Sequence, residues 1–87
     1  MNDNKLVFQN YLRNNIHSYR KNHAISQEHM AETLCISPRS YIDQEHGKYG
    51  FSAMTLLYYI FLLTDDEILA FFGNLKHLMR GKKEDVA

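Results

Sequence analysis

Apolar residues Phe8, Leu12, Ile16 and Tyr19 recur at spacings of four, four and three, which puts them on one face of an α-helix. The spacing predicts a first helix over about residues 5–22. A polar break at 21–24 follows, and Ser26 then stands as an N-cap, its side-chain oxygen able to accept from the free amides of a first turn. A second helix is expected over 27–34, with Met30, Ala31 and Leu34 facing inward. After a short turn at Cys35 and Ile36, Ser37 caps a third helix. Pro38 takes its first position, where a missing N–H is no loss. That helix is expected to end near Glu45, with Gly47 as its flexible stop.

Tyr49, Gly50 and Phe51 form a connection to Ser52, the cap of a fourth helix running to about Leu63. Thr64 and Glu67 have the spacing of a capping box, and Asp65 and Asp66 suit the positive end of a helix dipole. A fifth helix follows, with Ile68, Phe71, Phe72, Leu75, Leu78 and Met79 as its apolar stripe. No run alternates as a strand does. The expectation is an all-α domain of five helices over residues 1–80, followed by a charged, disordered tail at 81–87.

Length and composition narrow the function classes. The chain has 87 residues, which suits one domain, and 45% hydrophobic residues, enough for a small core. A domain this small is marginally stable alone, so association with a partner or a second copy fits. Lys+Arg and Asp+Glu are equal at 10 each, so no global positive field announces a nucleic-acid partner. Cys35 is the single cysteine; no intrachain disulfide can form, which fits a reducing cytoplasm. The N-terminus lacks the basic and apolar regions of a signal peptide. The most apolar run, 54–63, falls well short of the roughly twenty residues that a membrane span needs. The five histidines have no metal-ligand spacing with Cys35, and no nucleophile motif is present. Neither enzymatic activity nor a cofactor is expected.

The second helix, a turn of about three residues and the third helix have the spacing of a helix-turn-helix. Arg20, the run Ser26-Gln27-Glu28, the pair Met30-Ala31, the pair Ile36-Ser37 and the run Glu45-His46-Gly47-Lys48 sharpen this pattern. On these residues, over about 12–69, the chain resembles the Cro/C1 (xenobiotic-response-element) class of bacterial and phage DNA-binding domains. The resemblance implies a lambda-repressor-like fold whose third helix reads double-stranded DNA in the major groove. It implies base-reading positions at Pro38, Arg39 and Asp43, with Ser37 and Ser40 beside the backbone. Ser26, Gln27, His46 and Lys48 match positions that touch phosphate. Arg39 alone can pair with guanine through two hydrogen bonds. Asp43 can accept from cytosine or orient Arg39 from one turn away. The resemblance also implies a partly buried salt bridge between Arg20 and Glu45, a core place for Tyr41, and Tyr49 covering the core from its loop.

Three positions depart from the class. Ile42 stands where a polar residue is usual and would meet a thymine methyl. Gln44 stands where an apolar residue is usual; facing the core without a partner it costs of order 1–3 kcal/mol. A slight rotation of the third helix is the alternative. Cys35 stands where Gly is usual, and is strained if its backbone is left-handed.

In the fourth helix, Ala53, Leu56, Leu57, Ile60 and Leu63 hold the positions that the class buries. Met54, Tyr58 and Phe61 form a second apolar face, and a helix apolar all round is buried on both sides. The fifth helix covers that face, or a second chain does. The favoured reading is a symmetric homodimer through Met54, Tyr58, Phe61, Phe71, Phe72, Leu75, Leu78 and Met79. Its two reading helices would lie about 34 Å apart, one DNA turn. A neutral monomer with few cations binds phosphate weakly, and pairing doubles the contacts. The function expected is a sequence-specific transcriptional regulator. The rival is a helix-turn-helix that binds another protein, as an antirepressor, antitoxin or regulator subunit. A positive face joining Gln27, Arg39 and Lys48 would favour DNA. An apolar patch reaching Ile42 from Tyr41 or Tyr49 would favour a protein.

Overall fold

The structure, a computed structural model, describes residues 3–84, with side chains for 4–80. Among the described residues the chain forms five helices and no strand: α1 (Asp3–Asn22), α2 (Gln27–Thr33), α3 (Pro38–Glu45), α4 (Ala53–Ile60) and α5 (Asp65–Glu84). The starts follow the cap residues. Ser26, Ser37 and Ser52 each accept from the amide three residues on, at His29, Ser40 and Thr55. Thr64 and Glu67 exchange two hydrogen bonds, Glu67 N–H to Thr64 Oγ1 at 3.2 Å and Thr64 N–H to Glu67 Oε1 at 2.9 Å. Each cap is preceded by an apolar residue, Ile25, Ile36, Phe51 or Leu63, and all four pack into or against the core. A polar cap and an apolar neighbour together set the angle at which the chain enters the helix.

The ends of α1, α2 and α3 share one geometry. At each end a residue turns left-handed: Ala24 at φ 54°, Cys35 at φ 62° and Gly47 at φ 85°. Its amide and the next one reach back to helix carbonyls. Ala24 and Ile25 bond Lys21 and Arg20, Cys35 and Ile36 bond Glu32 and Ala31, and Gly47 and Lys48 bond Gln44 and Asp43, all at 2.8–3.1 Å. This is the Schellman ending, which glycine adopts without strain. Ala24 and Cys35 adopt it at a cost of roughly 1 kcal/mol each. The strain expected for Cys35 is therefore present, and Ala24 carries a second instance.

Leu12 and Ile16 of α1, Met30, Ala31 and Leu34 around α2, Tyr41 of α3, Phe51, Tyr59 of α4 and Phe71 of α5 form the buried core. Phe71 is the hinge of an aromatic cluster. Its ring lies 5.1 Å from Tyr11 and 5.7 Å from Tyr59, and its carbonyl accepts from the Tyr11 hydroxyl at 2.7 Å. Burial pushes the Tyr59 hydroxyl up to about 12. Gln9 holds the connection before α4 through both its amide atoms, donating to the Phe51 carbonyl at 3.0 Å and accepting from the Phe51 N–H at 2.7 Å. A Cβ on Gly50 would sit 3.0 Å from that Gln9 amide, so glycine is what lets the strap lie so close. Among the described residues, no helix is long and apolar enough to cross a membrane.

Five expectations change. Helix α4 stops at Ile60, and two tight turns carry the chain on, with Leu62 and Leu63 bonding Tyr59 and Ile60. Its buried residues are Thr55 and Tyr59, while Ala53 and Leu57 are exposed. Tyr49 is 58% exposed and is not among the residues packed on the core; Phe51, two residues on, enters the core instead. Phe71 is buried within the chain and leaves the outward face assigned to it. Helix α5 also continues to Glu84, through the start of the expected tail, whose residues 85–87 lie outside those described.

Gln44 turns inward, and its Oε1 is buried with no hydrogen-bond partner. Removing an unmet polar atom at nearly constant volume should stabilise the fold. Gln44→Met is expected to raise stability by about 1–2 kcal/mol, read as a higher urea midpoint with an unchanged slope.

Candidate functional site

The residues singled out from the sequence converge on the two short helices α2 and α3, held against α1 by one carboxylate. Glu45 ends α3 with its side chain only 4% exposed. Arg20 of α1 meets it with two nitrogens, Nε to Oε2 at 2.8 Å and Nη2 to Oε1 at 3.2 Å. The third Arg20 nitrogen donates to the Ile25 carbonyl at 3.1 Å, just before α2. Gln27 of α2 donates to Oε1 at 2.7 Å, and the Tyr41 hydroxyl donates to Oε2 at 2.6 Å. His17, one turn before Arg20, places Nδ1 3.2 Å from Oε2.

The electrostatics follow from this crowding. Burial opposes ionisation of Glu45, but donors from Arg20, Tyr41, Gln27 and His17 outweigh it and hold the carboxyl down at about 2. The hydrogen bond to Glu45 pushes the Arg20 guanidinium up. Burial, and then the adjacent carboxylate, push the Tyr41 hydroxyl well above its ordinary range. The expected Arg20–Glu45 pair is present, at the centre of a larger network. Gln27 and His17 were not foreseen in it. The signal for Gln27 was its place at the first turn of α2, which suits an inward amide as well as an outward one. His17 lies three residues before Arg20, the spacing that shares a helix face.

The outer side of α3 is set by this anchoring. Ser37 caps the helix through its oxygen, and its hydroxyl also lies 3.0 Å from Ser40 Oγ. Pro38, Arg39 and Ser40 are exposed. The Arg39 side chain is 87% exposed, and its Nε stands 3.9 Å from Asp43 Oδ2, a loose contact one turn away. His46 and Lys48 are exposed where the chain leaves α3. Lys48 Nζ lies 5.6 Å above the Tyr49 ring, close enough for a cation–π contact. Ile42 is half-buried rather than outward. Tyr41 is fully buried, so no apolar path runs from it to Ile42 on the surface. Two expected phosphate contacts have other work: the Ser26 oxygen caps α2, and the Gln27 amide is held by Glu45. Gln27 therefore does not join Arg39 and Lys48 in one positive face.

The surface on α4 and α5 is different in kind. Phe61 and Leu69 are each 72% exposed, and Met54, Leu57, Phe72 and Leu78 are also exposed. Tyr58 is half-buried and meets Phe61 edge-on at 6.2 Å. Leu75 and Met79 are half-buried on α5. Leu57 and Leu69 join the exposed apolar residues, although the spacing predicts Leu57 inside and a stripe on α5 without Leu69. Among the described residues, no group of three or more His, Cys, Asp and Glu side chains is arranged to hold a metal ion. Compared with family models, curated proteins and solved structures, the chain matches none.

The Glu45 network makes stability depend on acid. A carboxyl held below its ordinary 4.5 in the folded state contributes fully above that pH. The contribution is lost as pH falls through about 2. The shift corresponds to a loss on the order of 3 kcal/mol. Urea unfolding between pH 6 and pH 2 is expected to show this decline. Glu45→Gln should already be less stable at neutral pH, by about 3–5 kcal/mol. It should also lack the part of the acid dependence that Glu45 supplies; an identical slope in parent and variant would place that dependence elsewhere.

Proposed function

We propose that the protein is a sequence-specific double-stranded DNA-binding regulator of the Cro/C1 helix-turn-helix type, acting as a homodimer. The observation that carries the reading is the α2–α3 unit. Its inner side is locked through Glu45, while the first turn of α3 presents Pro38, Arg39 and Ser40 to solvent. A short helix with small residues and proline at its start can approach a groove closely. Arg39, with only a loose contact to Asp43, keeps its guanidinium edge for a base. Lys48 and His46 flank the exit of the same helix and suit phosphate. Asp43, half-buried, suits orienting Arg39 more than reaching a base itself. A regulator of this kind works in the cytoplasm, with the DNA.

The dimer is supported by the apolar surface of α4 and α5. Met54, Leu57 and Phe61, spaced three and four apart, share one side of α4 and its cap, and Leu69 is equally exposed on α5; large exposed apolar side chains in this number suit an association site. Phe72, three residues on from Leu69, extends the exposed apolar side of α5. Pairing supplies the second reading helix and doubles the phosphate contacts of a chain with no excess of cations.

Selection from a pool of random duplexes should enrich one palindromic sequence. On it, Arg39→Ala is expected to lose about 1–3 kcal/mol and to relax preference at one base position in each half-site. Equal weakening on every sequence would assign Arg39 to phosphate, and no enrichment at all would defeat the reading. Separately, sedimentation should give a dimer, and Phe61→Glu with Leu69→Glu should give a folded monomer with weaker DNA binding. A double variant that sediments as the parent does would remove α4 and α5 from the interface.

A further inference from the structure

The first half of α1 and the connection between α3 and α4 bound an open groove of about 580 Å³. That is the size of small-molecule sites, which run from roughly 300 to 1,000 Å³. Lys5, Arg13 and Lys48 all line it, and none of the lining residues among those described is Asp or Glu. This one-sided lining occurs in a chain whose basic and acidic totals are equal at 10 each. Among the described residues, no carboxylate pairs with Lys5, Arg13 or Lys48. Arg13 instead donates to the neutral Asn10 side chain at 2.6 Å. Leu6 and Tyr49, both largely exposed, add apolar surface, and the buried Phe51 adds more from the core side.

The walls are already in place. Gln9 grips the Phe51 backbone at both its N–H and its carbonyl. A Cβ on Gly47 would lie 3.6 Å from the Arg13 guanidinium, so the chain leaving α3 passes close over it. Cations gathered in a concave, partly apolar wall concentrate their field there and favour a counter-charge. Bulk ions satisfy the charges but not the apolar surface beside them. We propose that this groove is a binding site for a small organic anion, with an apolar body and a carboxylate or phosphate head. Lys48 belongs both to this groove and to the surface proposed to meet DNA phosphate, so an occupied groove withdraws one cation from that surface. The site itself does not rest on the DNA reading.

The test uses the full chain, without DNA. Octanoate and octyl phosphate are titrated while backbone amide resonances are followed by NMR, with 1-octanol and inorganic phosphate as controls. At least one amphiphilic anion should give saturable shifts centred on Gly47, Gly50 and Phe51, at least tenfold tighter than either control; the tighter of the two identifies the head group. Lys5→Gln and Lys48→Gln, both at exposed positions, should weaken it at least threefold each, and Arg13→Gln should weaken it further. Octanol binding as tightly as the anions would overturn the proposal, as would inorganic phosphate doing so. Shifts confined to the apolar face of α4 and α5, or lysine variants that bind as the parent does, would overturn it too.

Discussion

One buried carboxylate sets the geometry of half this molecule. Glu45 receives hydrogen bonds from α1, from α2 and from its own helix. A charge taken out of water is costly, and its partner charge seldom repays the whole cost. Here the remaining lone pairs are also used, by an amide and a hydroxyl, so the geometry is of the kind that makes burial tolerable. The net gain in stability is smaller than the number of bonds suggests. The larger effect is on specificity. A greasy contact between three helices would tolerate sliding, whereas two-point contact with a planar guanidinium fixes distance and angle. Arg20 also bonds the carbonyl of Ile25, so the same side chain positions the turn into α2.

That constraint accounts for the misfit at Gln44. Tyr41 and Glu45 lie one turn apart on α3 and both point inward, the one fully buried and the other anchored to Arg20. With those two fixed, the rotation of α3 is fixed, and Gln44 is left on the side that faces the core and the groove beside α1. It stays in with an unmet oxygen. Ile42 is only half-buried for the same reason. The alternative of a rotated helix, open on sequence grounds, would have rescued the glutamine at the expense of the carboxylate. A neutral amide left unmet costs about 1–3 kcal/mol, while an unpaired buried charge costs about 3–5. The cheaper fault is the one present.

Much of the architecture was legible because helix boundaries are written in local chemistry. Ser26, Ser37, Ser52 and Thr64 each start a helix at the position their side chains allow. Gly47 stops one. Ala24 shows where such reading ends: its backbone is left-handed where the amides of Ala24 and Ile25 close the end of α1, and nothing in an alanine announces it. The phase of α4 was misread for a related reason. Leucine looks more buried than threonine, yet Thr55 is the buried one; its hydroxyl lies 3.2 Å from that of Ser52, so it goes in with a partner. Tyr59 goes in because Phe71 and Tyr19 offer aromatic edges. These are tertiary facts, and composition along one helix does not contain them. At the candidate site, Arg39, Ser40 and Lys48 were legible as exposed polar positions. The inward turn of Gln27 was not, since it depends on a carboxylate eighteen positions away.

Zero net charge is a weaker constraint on partners than it first looks. The molecule is 44 Å along its longest axis, and at physiological salt a charge is screened beyond about 8 Å. The acidic first turn of α5, at Asp65, Asp66 and Glu67, therefore does little to a partner held elsewhere on the surface. What a partner meets is local. Near α3 it meets Arg39, partly offset by Asp43. In the groove beside α1 it meets three cations with no acid among the described lining residues. Arg39 by itself carries too little charge to hold a polyanion, so the proposed DNA reading leans on hydrogen-bond geometry, on Lys48 and His46 at the helix exit, and on the second copy it invokes. The groove has the reverse balance, with more charge than shape can use unless an apolar body comes with the anion. The same neutral total thus divides into one surface suited to being read by position and another suited to being filled by charge.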